Sequence, residues 1–131
     1  MYLITAGRGK VILKAEPIAN TRDKLRVQFR AARLSNKEGF FSKSDPFLTA
    51  SRLREDNTWV RVWQSETINN SLNPTWGVAE IPIQRLCNGD LYRPIRFEIF
   101  DWEGDGQHKP MGEFETTVQQ LVENPAREYD V

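Results

Sequence analysis

The side chains best suited to act on another molecule sit in a handful of short polar stretches. Phe40 and Phe41 stand side by side between Lys37 and Lys43, the arrangement of an apolar wedge flanked by cations placed for anionic headgroups. Neighbouring residues at a strand end alternate faces, so one of the two phenylalanines is expected to pack inward; the competing reading places both in the core. Trp59 and Trp63 fall on one face of a period-two strand and suit an exposed partner- or sugar-binding patch. Catalysis has less to draw on. His108 is the sole histidine and Cys87 the sole cysteine, and the chain offers neither Cys/His ligand spacing nor a serine-bearing glycine elbow. The chain therefore reads as non-catalytic. Cys87 rules out an internal disulfide, suits a reducing cytosol, and is expected to be a small packed residue.

The elements that must position these groups are strands. In Lys24-Leu-Arg-Val-Gln-Phe-Arg-Ala31 the apolar residues Leu25, Val27, Phe29 and Ala31 take every second position, as on a strand with one buried face. Similar runs occur at 10–15, 47–53, 59–67, 81–83, 95–100, 112–118 and 127–131. Turn formers separate them at 17–23, 42–46, 69–74, 88–90 and 103–106, the spacing of an antiparallel sandwich. Only 84–87 and 118–123 suit short helical turns, and neither supports a helical layer. The expected fold is an all-β, eight-stranded antiparallel Greek-key sandwich. The 131 residues suit one domain.

Bulk charge narrows the partners. Eighteen basic and eighteen acidic residues cancel, so the chain lacks the positive field of a general nucleic-acid binder. Its opening apolar run is too short for a signal peptide, no stretch reaches the roughly 20 apolar residues of a membrane span, and no lipidation motif is visible. Membrane contact, if made, is reversible and from the side. Lys10, Lys14, Arg26 and Arg30 on the outward positions of the first two strands read as a solvated charge ladder.

Three segments form an ordered set: Phe40-Phe-Ser-Lys-Ser-Asp-Pro-Phe47, Thr67-Ile-Asn-Asn-Ser-Leu-Asn-Pro-Thr-Trp76, and Phe100-Asp-Trp-Glu-Gly-Asp-Gly-Gln-His-Lys-Pro-Met-Gly-Glu-Phe114. In order and spacing they resemble the Ser-Asp-Pro-Phe loop, the Leu-Asn-Pro-x-Trp turn and the Asp-x-Asp loop ending in Gly-Glu-Phe of C2 domains. The stretches Ala15-Glu-Pro-Ile-Ala-Asn20, Ala32-Arg-Leu34, Thr58-Trp-Val60, Leu86-Cys-Asn-Gly-Asp90 and Arg93-Pro-Ile95 make the chain similar, from Gly9 nearly to its end, to the second C2 domain of copines. That resemblance implies type I C2 topology and one module of a longer protein with another C2 domain and a von Willebrand A-like domain. It also implies calcium-dependent docking on phospholipid at cytosolic membrane faces, in signalling or membrane trafficking.

The resemblance further implies a calcium site. Calcium takes six to eight oxygen ligands, so carboxylates must gather from distant positions. Asp45 and Asp101 match the family's ligand positions, although either residue also suits a turn-stabilising role on backbone amides. The place six residues before Asp45 holds Gly39, with Glu38 beside it, and the second acid of the third loop is Glu103. The last ligand position, eight residues after Asp101, is Lys109. An ammonium cannot ligate calcium, and Lys109 is suited to pair with Asp45, Asp101 or Glu103, leaving calcium weakly bound or unnecessary; it is equally suited to point away from an eroded site. Asp105 is a further candidate ligand or a solvated turn residue. Lys109 and His108 join Lys37, Lys43, Phe40 and Phe41 as membrane-facing candidates. Arg52, Arg54 and Arg61, with Trp59 and Trp63, form a candidate headgroup or partner patch, while Gln64 and Glu66 stand where a phosphoinositide site would want lysines. Trp76 and Trp102 match positions of packed aromatics. The competing reading is a protein-interaction domain that has lost calcium and lipid binding.

Overall fold

The computed structural model describes residues 3–5, 10–17, 24–36, 43–124 and 126–131. In chain order the elements are β1 (Leu3–Thr5), β2 (Lys10–Pro17), β3 (Lys24–Ala32), β4 (Pro46–Leu53), β5 (Trp59–Gln64), β6 (Ala79–Pro82), α1 (Ile83–Cys87), β7 (Ile95–Asp101), β8 (Lys109–Thr116), α2 (Val118–Glu123) and β9 (Ala126–Asp130). They form two packed sheets with strand orders β1-β9-β2-β3-β6 and β5-β4-β7-β8. The eight expected strands are present as β2 to β9, paired antiparallel. The addition is β1, which lies parallel to β9 at the sheet edge; three residues are too short for a period-two signal.

Strand alternation builds the core directly. Leu25, Val27, Phe29 and Ala31 point inward from β3, and Ile95, Phe97 and Ile99 from β7. Ring contacts cross the space between the sheets where Phe29 stacks on Trp63 at 5.7 Å and meets Phe97 at 5.1 Å and where Phe114 meets Tyr129 at 4.4 Å, and Phe97 stacks on Phe114 within one sheet at 5.0 Å. The Tyr129 hydroxyl is satisfied by Thr116 Oγ1 at 2.7 Å, as a buried phenol requires.

Local chemistry sets where strands stop. The run expected to continue to Thr67 ends at Gln64, because the Ser65 hydroxyl takes the Leu48 N–H at 2.8 Å in place of a ladder carbonyl. Pro82 cannot donate to the ladder and opens α1, so Ile83 is helical. Thr117 caps α2 by accepting from the Gln120 N–H at 3.1 Å. β8 begins earlier than its apolar run, at Lys109, and carries Pro110 on an edge strand where a missing N–H costs little.

Cys87 lies buried at the end of α1 with its thiol 3.2 Å from the Ile83 carbonyl. Burial pushes the thiol pKa up. A colourimetric disulfide reagent at pH 8 is therefore expected to leave Cys87 unmodified in the folded protein and to titrate it fully in denaturant; rapid native-state reaction would contradict this packing.

Candidate functional site at the loop end

The same alternation that buries Ile95, Phe97 and Ile99 carries one step further and places Asp101, fully buried, at the core-facing end of β7. Its partner across the ladder is Pro46, so Asp45 is brought alongside. Asp101 Oδ1 accepts from the Asp45 N–H at 2.8 Å, and the Asp45 carbonyl accepts from the Trp102 N–H at 2.9 Å. The second loop closes over them: Asn70, at φ 54°, donates its N–H to Asp45 Oδ1 at 2.6 Å, and its side-chain oxygen accepts from the Lys43 N–H at 2.9 Å. Asn70 is a site residue that sequence reasoning misses. Its signal, an asparagine suited to a left-handed turn, identifies a bend but not the carboxylate it contacts.

The turn-stabilising use of both aspartates is thus present. Each nevertheless has a further carboxylate oxygen, and Asp101 Oδ2 is buried with no hydrogen-bond partner among the described residues. A buried carboxylate oxygen without a partner is costly, which makes this a place for a cation. Two of the remaining carboxylates do not converge there. Asp105 turns its Oδ1 back to the Gln107 N–H at 2.9 Å within the exposed tip. Glu103 Oε1 lies 3.1 Å from Lys109 Nζ, close enough for an ion pair without the alignment of a hydrogen bond. Both partners are partly exposed, so the pair is worth under about 1 kcal/mol in stability; its consequence lies in where it holds the Glu103 charge. Among the described residues no three Asp, Glu, His or Cys side chains come together as metal ligands. Those residues alone therefore do not complete a calcium shell. Glu38, with Lys37, Phe40 and Phe41, lies outside the described residues.

The third loop is built around His108. Its Nδ1 accepts from the Glu103 N–H at 2.8 Å, and its ring meets Phe47 edge-on at 4.9 Å, so the histidine braces the loop from within. Above it, Trp102 is 47% exposed, 6.2 Å from the imidazole. The expectation of a packed aromatic here is corrected. Position 102 follows the inward Asp101, so its indole lies on the outer side, whereas Trp76, 1% exposed, is packed as expected. Lys43 is exposed at the same end and Lys109 half exposed.

The five residues of the expected headgroup or partner patch do not form one surface. A bulge between Ala50 and Ser51 pairs Ala50 with Trp63 but Ser51 with Arg61, which puts Trp63 on the core side and Trp59 on the outer side. Trp63 packs on Phe29, while Trp59 lies under the Arg96 guanidinium at 4.1 Å. Arg61 covers the Phe100 ring at 5.6 Å on that outer face. Arg52 points the other way, donating to the Arg85 carbonyl at 2.9 Å, and joins Arg54 at the end of the sandwich remote from the loops.

This two-sheet architecture, with acids at one loop end, is that of a C2 domain, and the C2 domain family model matches residues 23–130. The chain belongs to the C2 domain family. Solved structures agree. One described as BON1-C2B shares 27% identity over 85% of this chain and 67% of its own, with a TM-score of 0.61. A C2 domain of RIM from Drosophila superimposes with a TM-score of 0.67 at 19% identity, covering 94% of this chain and 97% of its own. A C2 domain of RIM2 does so at 0.64 and 16%, covering 94% and 96%; at such identities these two likenesses speak to the fold. C2 domains are typically non-enzymatic modules that bind phospholipid membranes and proteins, and they generally bind calcium. Among the described residues no helix is long and apolar enough to cross a membrane.

Proposed function

We propose that this domain docks reversibly on anionic phospholipid surfaces through its loop end, with calcium bound weakly or not required. The observation that carries the reading is Trp102, a large exposed aromatic at the end where Lys43 and Lys109 are also exposed. An indole ring at a bilayer interface with lysines beside it gains from both the apolar boundary and the anionic headgroups. Phe40 and Phe41, with Lys37, would extend this wedge from the first loop. The copine-like stretches support the finer reading that the chain is one module of a longer cytosolic protein acting at membrane faces.

The Lys109 ammonium supports the calcium half of the proposal. Set against Glu103, it supplies in part the positive charge that calcium would bring. Calcium affinity is expected near or beyond about 0.1–1 mM, as for sites poor in carboxylates. A micromolar two-site isotherm in calorimetry would refute this. Lys109→Asp frees Glu103 and adds a ligand, so it is expected to tighten binding severalfold; unchanged affinity would mean that the remaining acids are out of reach. Sedimentation with phosphatidylserine liposomes, with and without calcium, tests the function itself: binding that survives chelation supports it. Absence of binding in both conditions favours a protein-interaction domain, a reading that draws on the exposed Leu91 and Tyr92 at the opposite end.

A further inference from the structure

At the end of the sandwich remote from the loops, a cavity of about 380 Å³ is lined by Arg52, Arg54, Glu55, Asp56, Asn88 and Arg93. Two of its guanidiniums are held by backbone carbonyls: Arg52 donates to the Arg85 carbonyl at 2.9 Å and Arg93 to the Leu53 carbonyl at 3.1 Å. Such bonds hold the forks in place without cancelling their charge. Arg93 also makes a long ion pair with Asp90 at 4.0 Å. Of the lining acids, Asp56 turns its Oδ1 to the N–H and hydroxyl of Thr58, at 3.1 and 2.6 Å. Three arginines stand against Glu55, Asp56 and Asp90, an even formal balance, but Asp56 is engaged by Thr58 and Asp90 Oδ1 accepts from the Tyr92 N–H at 3.0 Å, which leaves the guanidiniums as the charged donors lining the cavity. The turn that supplies Asn88 and Arg93 also carries Leu91 and Tyr92, 43% and 71% exposed.

From this geometry we propose that the cavity is a binding site for a phosphate monoester carried on a polypeptide, with an apolar residue of the same segment resting on Leu91 and Tyr92. Positioned guanidinium forks match the oxygen geometry of a phosphate, which can accept from more than one of them. A lipid headgroup is the less suitable source. β4 runs from the loop end at Pro46 to the cavity end at Leu53, a separation of about 23 Å at roughly 3.3 Å per residue. In the membrane orientation proposed above, on which this last step rests, the cavity faces away from the bilayer.

The test is a two-dimensional amide NMR titration with N-acetyl-phosphoserine amide at constant ionic strength, with the unphosphorylated amide and sulfate as controls. Expected are saturating shifts confined to residues 52–56 and 88–93, in the millimolar range for so small a probe, and little response to either control. Arg54→Ala, on an exposed side chain outside the core, is expected to weaken binding about fivefold or more at unchanged melting temperature. Shifts scattered over the surface, an equal response to sulfate, or insensitivity to Arg54→Ala would each overturn the site. Liposomes containing phosphatidylinositol bisphosphate form the second arm: recruitment lost in Arg54→Ala but retained in Trp102→Ala would assign the cavity to a headgroup and overturn the polypeptide source. Phosphoserine binding with no liposome binding would instead remove the membrane proposal and leave the cavity standing.

Discussion

Phe97→Ala is expected to lower unfolding stability by about 3–5 kcal/mol, the cost of truncating a large buried aromatic in a site that cannot collapse. Phe97 is 1% exposed and meets Phe29 of one sheet and Phe114 of its own, so the void would open in the middle of the inter-sheet packing. Against a typical total of about 5–15 kcal/mol, a loss of this size removes a large part of the fold's margin. It corresponds to a fall of roughly 12–20 °C in melting temperature for a domain of this length. Phe97→Leu, which keeps much of the volume, is expected to cost about 1.5 kcal/mol. Urea unfolding of the two variants provides the measurement, and a loss below about 1.5 kcal/mol for the alanine would mean that the two sheets are not held together through this residue.

The second large effect is on binding. Trp102→Ala is expected to weaken association with phosphatidylserine liposomes about tenfold while leaving the melting temperature nearly unchanged. A tryptophan presents roughly 250 Å² of surface, so a half-exposed one offers about 120 Å² to the interface, or about 3 kcal/mol if all of it is buried. Partial immersion brings this to about 1.4 kcal/mol, a factor of ten. One lysine near an anionic surface contributes about 1 kcal/mol and loses part of that in salt, so Lys43→Ala is expected to matter less. The sequence proposes the same role for Phe40 and Phe41, and alanine at one of that pair is expected to produce a comparable loss. If Trp102→Ala and both phenylalanine variants bind liposomes like the parent, or lose binding only through a collapsed melting temperature, the loop-end docking reading fails and a protein-interaction role moves ahead.

What the sequence determined by itself is the part of the structure that repeats every two residues or carries a distinctive ordered set of turns. The alternation in β3 and β7, the two short helical turns and the C2 domain resemblance all rest on local pattern. The structure agrees because a sandwich buries one face of each strand. The edge strand β1 was not legible, since three residues fix no period.

At the site, the neighbourhood of Asp45 and Asp101 followed from the motif, but their partners did not. That Asn70 closes on Asp45, and that Lys109 lies against Glu103, depends on how three loops from different strands meet. Trp59 and Trp63 lie four residues apart, which in an unbroken strand means a shared face. A bulge inserts one residue without a local composition signal and sends the two rings to opposite sides of the sheet. The arginine-lined cavity is the clearest case of what only tertiary structure decides. Arg52 and Arg54 are distant in sequence from Arg93, on segments with no shared motif. They converge because β4 pairs with β7, Arg52 opposite Ile95, so that the ends of both strands open on the same turn. Sheet register is a long-range property, set by which strand lies beside which, and no residue window contains it.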